Sequence, residues 1–185
     1  MSVSINELRD ILNEARSPTE RKLLFLGWLN RRLGERGVRR FPILVGGSAV
    51  AFYTGGNYST VDIDLVYDAD AAFNEVLASV GFERRGRYWE QDELDLQVEC
   101  PGAEAEAPGR VDRIILKNGD AVYISSIEEM IVDRLLACDA WRSQSDCEWT
   151  RALLASEGYD WEYITARAEE EGSLKKLLEL KEAVS

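Results

Sequence analysis

Gly46-Gly47-Ser48 closes a short apolar run, Pro42-Ile43-Leu44-Val45, and stands fourteen positions ahead of Asp62-Ile63-Asp64. The residues between read as a short helix that carries the chain back into a second strand. Few local arrangements satisfy both ends. Acidic side chains at i and i+2 on a strand point to one face, so Ile63 and its apolar neighbours Val61 and Leu65 must turn to the other and be buried there. A glycine pair at the end of a buried strand opens the backbone at a helix start, where free N–H groups can hold an anion. The chain is thereby committed to a sheet with one wet, acidic face and a tight strand–helix turn beside it.

The remaining elements follow from periodicity and punctuation. Ile5 to Arg16 reads as an amphipathic helix, with Ile5, Leu8, Ile11 and Leu12 on one face. Ser17-Pro18-Thr19-Glu20 is a helix start, with a capping serine, proline at the first helical position and glutamate three residues after the cap. The helix runs to about Glu35 and should bury Phe25, Leu26, Leu29 and Leu33. Ser48 to Tyr53 is the short helix, Val61 to Tyr67 the second strand and Asp68 to Val80 a further helix. Gly86 turns a hairpin between Phe82–Arg85 and Arg87–Glu90. Leu94 to Cys100 alternates as a strand, Pro101 to Gly109 reads as an exposed loop, and Asn118-Gly119 turns a hairpin between Val111–Leu116 and Ala121–Ile124. Helices follow, capped by Ser126 with Glu129 and by Ser145 with Glu148, then near Asp160–Glu170 and Ser173–Ala183. The order predicts an α+β (mixed α/β) fold, with a core and N-terminal helices over 1–124 and a helical extension over 125–185.

Composition narrows the chemistry. The 185 residues carry a net charge of −12 and no histidine. Such a chain does not bind nucleic acid through bulk electrostatics, and the basic clusters at Arg31, Arg32, Arg36, Arg39 and Arg40 and at Arg84, Arg85 and Arg87 read as solvated faces. Without histidine, Ser-His-Asp catalysis and histidine-ligated metals are excluded, and a general base must be a carboxylate, lysine, tyrosine or cysteine. Cys100, Cys138 and Cys147 follow no zinc spacing and, with no leader at Met1-Ser2-Val3-Ser4, are expected as reduced thiols in a cytoplasmic protein. No apolar run approaches the roughly 20 residues of a membrane span.

Three acids carry the chemistry. Asp62 and Asp64 share a strand face, and two carboxylates so close repel unless a cation lies between them. Asp95, in Leu94-Asp95-Leu96, is the expected third member if its strand lies alongside, with Glu99 on the same face as its chief competitor. Aspartate is disfavoured in strands, which points to a role. Hard oxygen ligands of this kind suit Mg²⁺ or Mn²⁺.

Taken together, Gly46-Gly47-Ser48, Asp62-Ile63-Asp64 and Leu94-Asp95-Leu96 resemble the nucleotidyltransferase fold superfamily of DNA polymerase β. The nearest likeness is to small prokaryotic members of toxin–antitoxin and abortive-infection systems. The resemblance covers Pro42 to Leu96, and more weakly Ile124–Trp149. It implies a nucleotidyltransferase-like mixed sheet that moves NMP from a nucleoside triphosphate to a hydroxyl on a protein or RNA acceptor, with an antitoxin as a partner. Gly46, Gly47, Ser48 and Thr60 would bind the nucleotide, and Asp62, Asp64 and Asp95 would hold the metals and catalyse. Tyr58 stands where small relatives carry arginine, and Arg134, Arg142 and Asp146 match the later helical positions only loosely. A catalytically degenerate binding or antitoxin module is the alternative. The Asp-x-Asp of haloacid dehalogenase-type phosphatases fits less well, since residue 66 is Val where they carry Thr.

Overall fold

The computed structural model describes residues 5–58, 60–100 and 108–184. Most of the loop expected over Pro101 to Gly109 lies outside those residues, as does the Met1-Ser2-Val3-Ser4 start. Two helices open the chain, α1 (Ile5–Asn13) and α2 (Pro18–Glu35). As predicted, Ser17 caps α2: its Oγ accepts from Glu20 N–H at 3.1 Å, with Pro18 at the start. Phe25, Leu26, Leu29 and Leu33 are all buried.

Next come β1 (Ile43–Leu44), α3 (Gly46–Tyr53), β2 (Asp62–Val66) and α4 (Ala71–Ala78). The strands β3 (Glu83–Arg85), β4 (Tyr88–Gln91), β5 (Leu96–Glu99), β6 (Val111–Ile115) and β7 (Ala121–Ser125) complete one mixed sheet in the order β3-β4-β5-β2-β1-β7-β6. Pairing is parallel between β1 and β7 and between β2 and β5, and antiparallel elsewhere. Both hairpins form where Gly86 and Asn118-Gly119 predict them.

The sheet buries one set of alternating residues. Leu44, Ile63, Leu65, Val98, Val122 and Ile124 are at most 1% exposed, in one hydrophobic cluster with Phe25, Trp28 and Leu29 of α2 and Phe73, Val76 and Leu77 of α4. The opposite set on β2 and β5, namely Asp62, Asp64, Gln97 and Glu99, stays half-buried.

Helices α5 (Ile127–Trp141), α6 (Gln144–Leu154), α7 (Trp161–Glu170) and α8 (Leu174–Glu182) end the chain. Ile131 and Leu135 of α5 and Leu153 of α6 join the same hydrophobic cluster as the sheet. Among the described residues no helix is long and apolar enough to cross a membrane.

Three expectations are corrected. The α6 cap is Ser143, whose Oγ accepts from Asp146 N–H, rather than Ser145, because the helix begins two residues sooner. Cys138 and Cys147 are not free thiols: the α5–α6 hairpin brings their Cα atoms to 4.8 Å and they form a disulfide. Cys100 alone remains free, buried, its thiol pushed up to about 12 chiefly by burial. The strand expected from Leu94 starts only at Leu96. Asp92–Leu94 form a single 3-10 turn and Asp95 takes a left-handed conformation (φ 47°) that aspartate tolerates better than most residues.

Candidate metal centre

The β2 sequence Asp-Ile-Asp-Leu-Val alternates half-buried and buried along its length. That pattern holds Asp62 and Asp64 on one face by burying Ile63 and Leu65 on the other. Parallel pairing with β5 sets Asp62 opposite Gln97 and Asp64 opposite Glu99. One carboxylate oxygen from each of Asp62, Asp64 and Glu99 lies within 4.8 Å of the other two. The expected third acid is thus replaced by Glu99. Asp95 has the same parity but sits before β5 begins, and lines a cleft of 600 Å³ with Arg16, Arg21, Lys22 and Thr60.

Crowding has an electrostatic cost. Burial, then the charges of Asp62 and Glu99, push the Asp64 carboxyl up to about 6 from its ordinary 3.8, although a hydrogen bond from Gly47 N–H and the nearby Lys22 oppose the shift. Glu99 is met by Arg87, whose Nε lies 3.2 Å from Oε1. Arg87 is itself exposed, its guanidinium 4.9 Å from the centre of the Tyr88 ring. With its arginine open to solvent, the pair is partly screened.

The glycine turn is shaped by this cluster. Gly46 has φ +61°, and a Cβ there would lie 2.3 Å from Asp64 Oδ2; one at Gly47 would lie 2.4 Å from Tyr58 Cε1. Only glycine lets the start of α3 approach the acids so closely. Tyr58 in turn packs edge-on against Trp149 of α6.

Ser48 and Thr60, expected to contact nucleotide, face the acidic strand instead. Ser48 is buried; its Oγ donates to the Asp62 carbonyl at 2.9 Å and accepts from Lys22 Nζ at 3.0 Å. Thr60 Oγ1 donates to Asp62 Oδ1 at 2.5 Å. As the third residue of α3, Ser48 is carried inward by the same helical turn that brings Gly47 to Asp64. Both hydroxyls therefore fix Asp62 rather than offering themselves to a ligand.

Lys22 escaped the sequence reading. Its Nζ also donates to the Thr60 and Asp62 carbonyls, at 2.6 and 3.0 Å. A signal was present: residues 22, 26, 29 and 33 fall on one helical face, so a lysine heads an otherwise apolar stripe. Two of the loosely matched helical positions pair with each other. Arg134 Nη1 meets Asp146 Oδ1 at 2.9 Å, and Arg142 is an exposed residue ending α5 with φ 49°. The basic clusters behave largely as solvated faces, with Arg31 and Arg32 paired to Glu7 and Glu35 and Arg85 to Glu83, Glu90 and Asp92.

The three carboxylates fit a divalent cation by their chemistry. They are hard oxygen donors, close enough to share one ion, and one of them, Asp64, is held above its ordinary pKa by burial and then by the charges of the other two. Set against known proteins, the chain matches no family model and no curated sequence.

Proposed function

We propose that the chain is a metal-dependent nucleotidyltransferase, moving NMP from a nucleoside triphosphate to a hydroxyl on a protein or RNA acceptor. The observation that carries this reading is the convergence of Asp62, Asp64 and Glu99 beside the Gly46-Gly47 turn. These three carboxylates would hold Mg²⁺ or Mn²⁺. When bound, such ions neutralise triphosphate charge and lower the pKa of an attacking hydroxyl.

The chain's own residues supply the rest. Gly46 and Gly47 let the start of α3 close on Asp64, so that a triphosphate held by ions on the three acids would lie beside this turn. Ser48 and Thr60 lock the Asp62 backbone and carboxylate in place. In a chain with no histidine, the acidic cluster supplies the bases that take the acceptor's proton. The acceptor oxygen bonds to the α-phosphorus, the bond to the β-phosphate oxygen breaks, and pyrophosphate leaves. The net charge of −12 favours a protein acceptor over long nucleic acid. A cytoplasmic setting and a toxin–antitoxin system with an antitoxin partner are part of the same proposal, though the Cys138–Cys147 disulfide withdraws the reduced-thiol argument for that compartment.

The test is incubation with α-labelled ATP, CTP, GTP and UTP, cell lysate and Mg²⁺, beside an Asp62→Asn control. Label on protein or RNA that the control lacks is the expected result; label of equal strength with Asp62→Asn would remove the acids from the reaction.

A second reading, a non-catalytic nucleotidyltransferase-fold binding module, is favoured by one observation: the hydroxyls of Ser48 and Thr60 are already committed within the protein. Calorimetry with Mg²⁺ and each triphosphate separates the two, since such a module gives no metal-dependent nucleotide heat.

A further inference from the structure

We propose that Lys22 is a positioning residue of the acidic site, one that sets which divalent ion the three carboxylates hold best. The inference rests on the metal reading of Asp62, Asp64 and Glu99 above. Lys22 reaches from α2 to three acceptors at once: Ser48 Oγ at 3.0 Å, the Thr60 carbonyl at 2.6 Å and the Asp62 carbonyl at 3.0 Å. An ammonium has three donors and no acceptor, so its capacity is filled by these bonds.

The acceptors belong to two elements, the first turn of α3 and the entry to β2. They are cross-tied, because Ser48 Oγ also donates to the Asp62 carbonyl at 2.9 Å and Thr60 Oγ1 to Asp62 Oδ1. Asp62 is thereby gripped at both its carbonyl and its carboxylate. The neighbouring Arg21 braces the second strand in the same way, its Nη2 donating to the Leu94 carbonyl at 2.8 Å, just ahead of β5 and Glu99. Adjacent residues of one helix therefore hold the entries of both acid-bearing strands.

Charge and bracing make different predictions for different ions. As a charge, Lys22 repels every divalent cation alike. As a brace, it matters most for Mg²⁺, which demands near-ideal octahedral geometry, and less for Ca²⁺, which accepts flexible coordination. The ratio of the two affinities reports bracing alone.

The experiment is calorimetric titration of Mg²⁺ and, separately, Ca²⁺ into the full chain, Lys22→Met and Ser48→Ala, with folding checked by thermal melting. Lys22→Met should weaken Mg²⁺ by about tenfold or more, as loss of outer ligand supports commonly does, while Ca²⁺ moves by less than about threefold. Ser48→Ala keeps the charge but removes one tie, and should narrow the Mg²⁺/Ca²⁺ ratio in the same direction by less. Equal factors for both ions, or no change in either variant, would overturn the proposal. Should Lys22→Met not fold, an unchanged ratio in Ser48→Ala overturns it alone. Failure of the unmodified chain to bind either ion would instead sink the metal reading, and this inference with it.

Discussion

Asp64 and Glu99 face each other across the parallel pair β2–β5, two register steps on from Asp62 and Gln97 and so on the same face. That pairing, rather than proximity in sequence, decides which acid completes the cluster. Glu99→Gln should accordingly weaken Mg²⁺ binding by about 10–100-fold, the usual cost of disturbing a metal site, while Asp95→Asn leaves it nearly unchanged. Calorimetry on the two variants checks the assignment.

The raised Asp64 carboxyl gives a pH dependence of definite sign. The folded chain keeps this proton up to about 6 and the unfolded chain releases it near 3.8. Between those values the folded state binds more protons, so stability falls as pH rises through the window and is level above it. Cation binding runs the opposite way, improving as pH rises through about 6. Asp64→Asn should abolish both slopes and raise the metal-free melting temperature at pH 7.5 by about 2–4 °C, after allowing for solvent screening of a half-exposed group. Melting curves from pH 4 to pH 8 test it.

Gly46→Ala puts a methyl 2.3 Å from Asp64 Oδ2 at φ +61°. The strain should cost about 1–3 kcal/mol and displace the carboxylate. Gly47 has no positive φ, so Gly47→Ala adds no left-handed strain and should cost less, although its methyl presses on the Tyr58 ring that Trp149 backs. Denaturant midpoints of the two variants would show the order.

The Cys138–Cys147 link closes a short loop between α5 and α6. Its reduction should destabilise the chain by about 2–3 kcal/mol on the loop-entropy account. Thiol titration of the unfolded, unreduced protein should count one free group, Cys100; three would remove the link.

Much of the framework could be read in advance because it is written in local chemistry. The Ser17 and Ser126 caps, the Asn118-Gly119 turn and the apolar stripe of α2 each involve residues a few positions apart. Asp62 and Asp64 were legible for the same reason, since alternation on one strand fixes their common face. The third acid was narrowed to the face shared by Asp95 and Glu99 but not chosen correctly, because the start of β5 depends on a 3-10 turn at Asp92–Leu94 that the alternation of Leu94 to Cys100 conceals. Ser48 pointed the wrong way in the sequence reading because the helix was read as starting at Ser48, whereas it starts at Gly46 and makes Ser48 its third, inward-facing residue. Cys138 and Cys147 lie nine positions apart on two helices, and only the angle of the hairpin makes them neighbours.

Tyr58 walls Gly47 on one side and leans on Trp149 on the other. The C-terminal helices therefore buttress the glycine turn from outside the sheet. Pruning the chain after β7 would not isolate a minimal working unit: it would strip the prop from Tyr58 and lay bare the apolar residues that Ile131, Leu135 and Leu153 now cover.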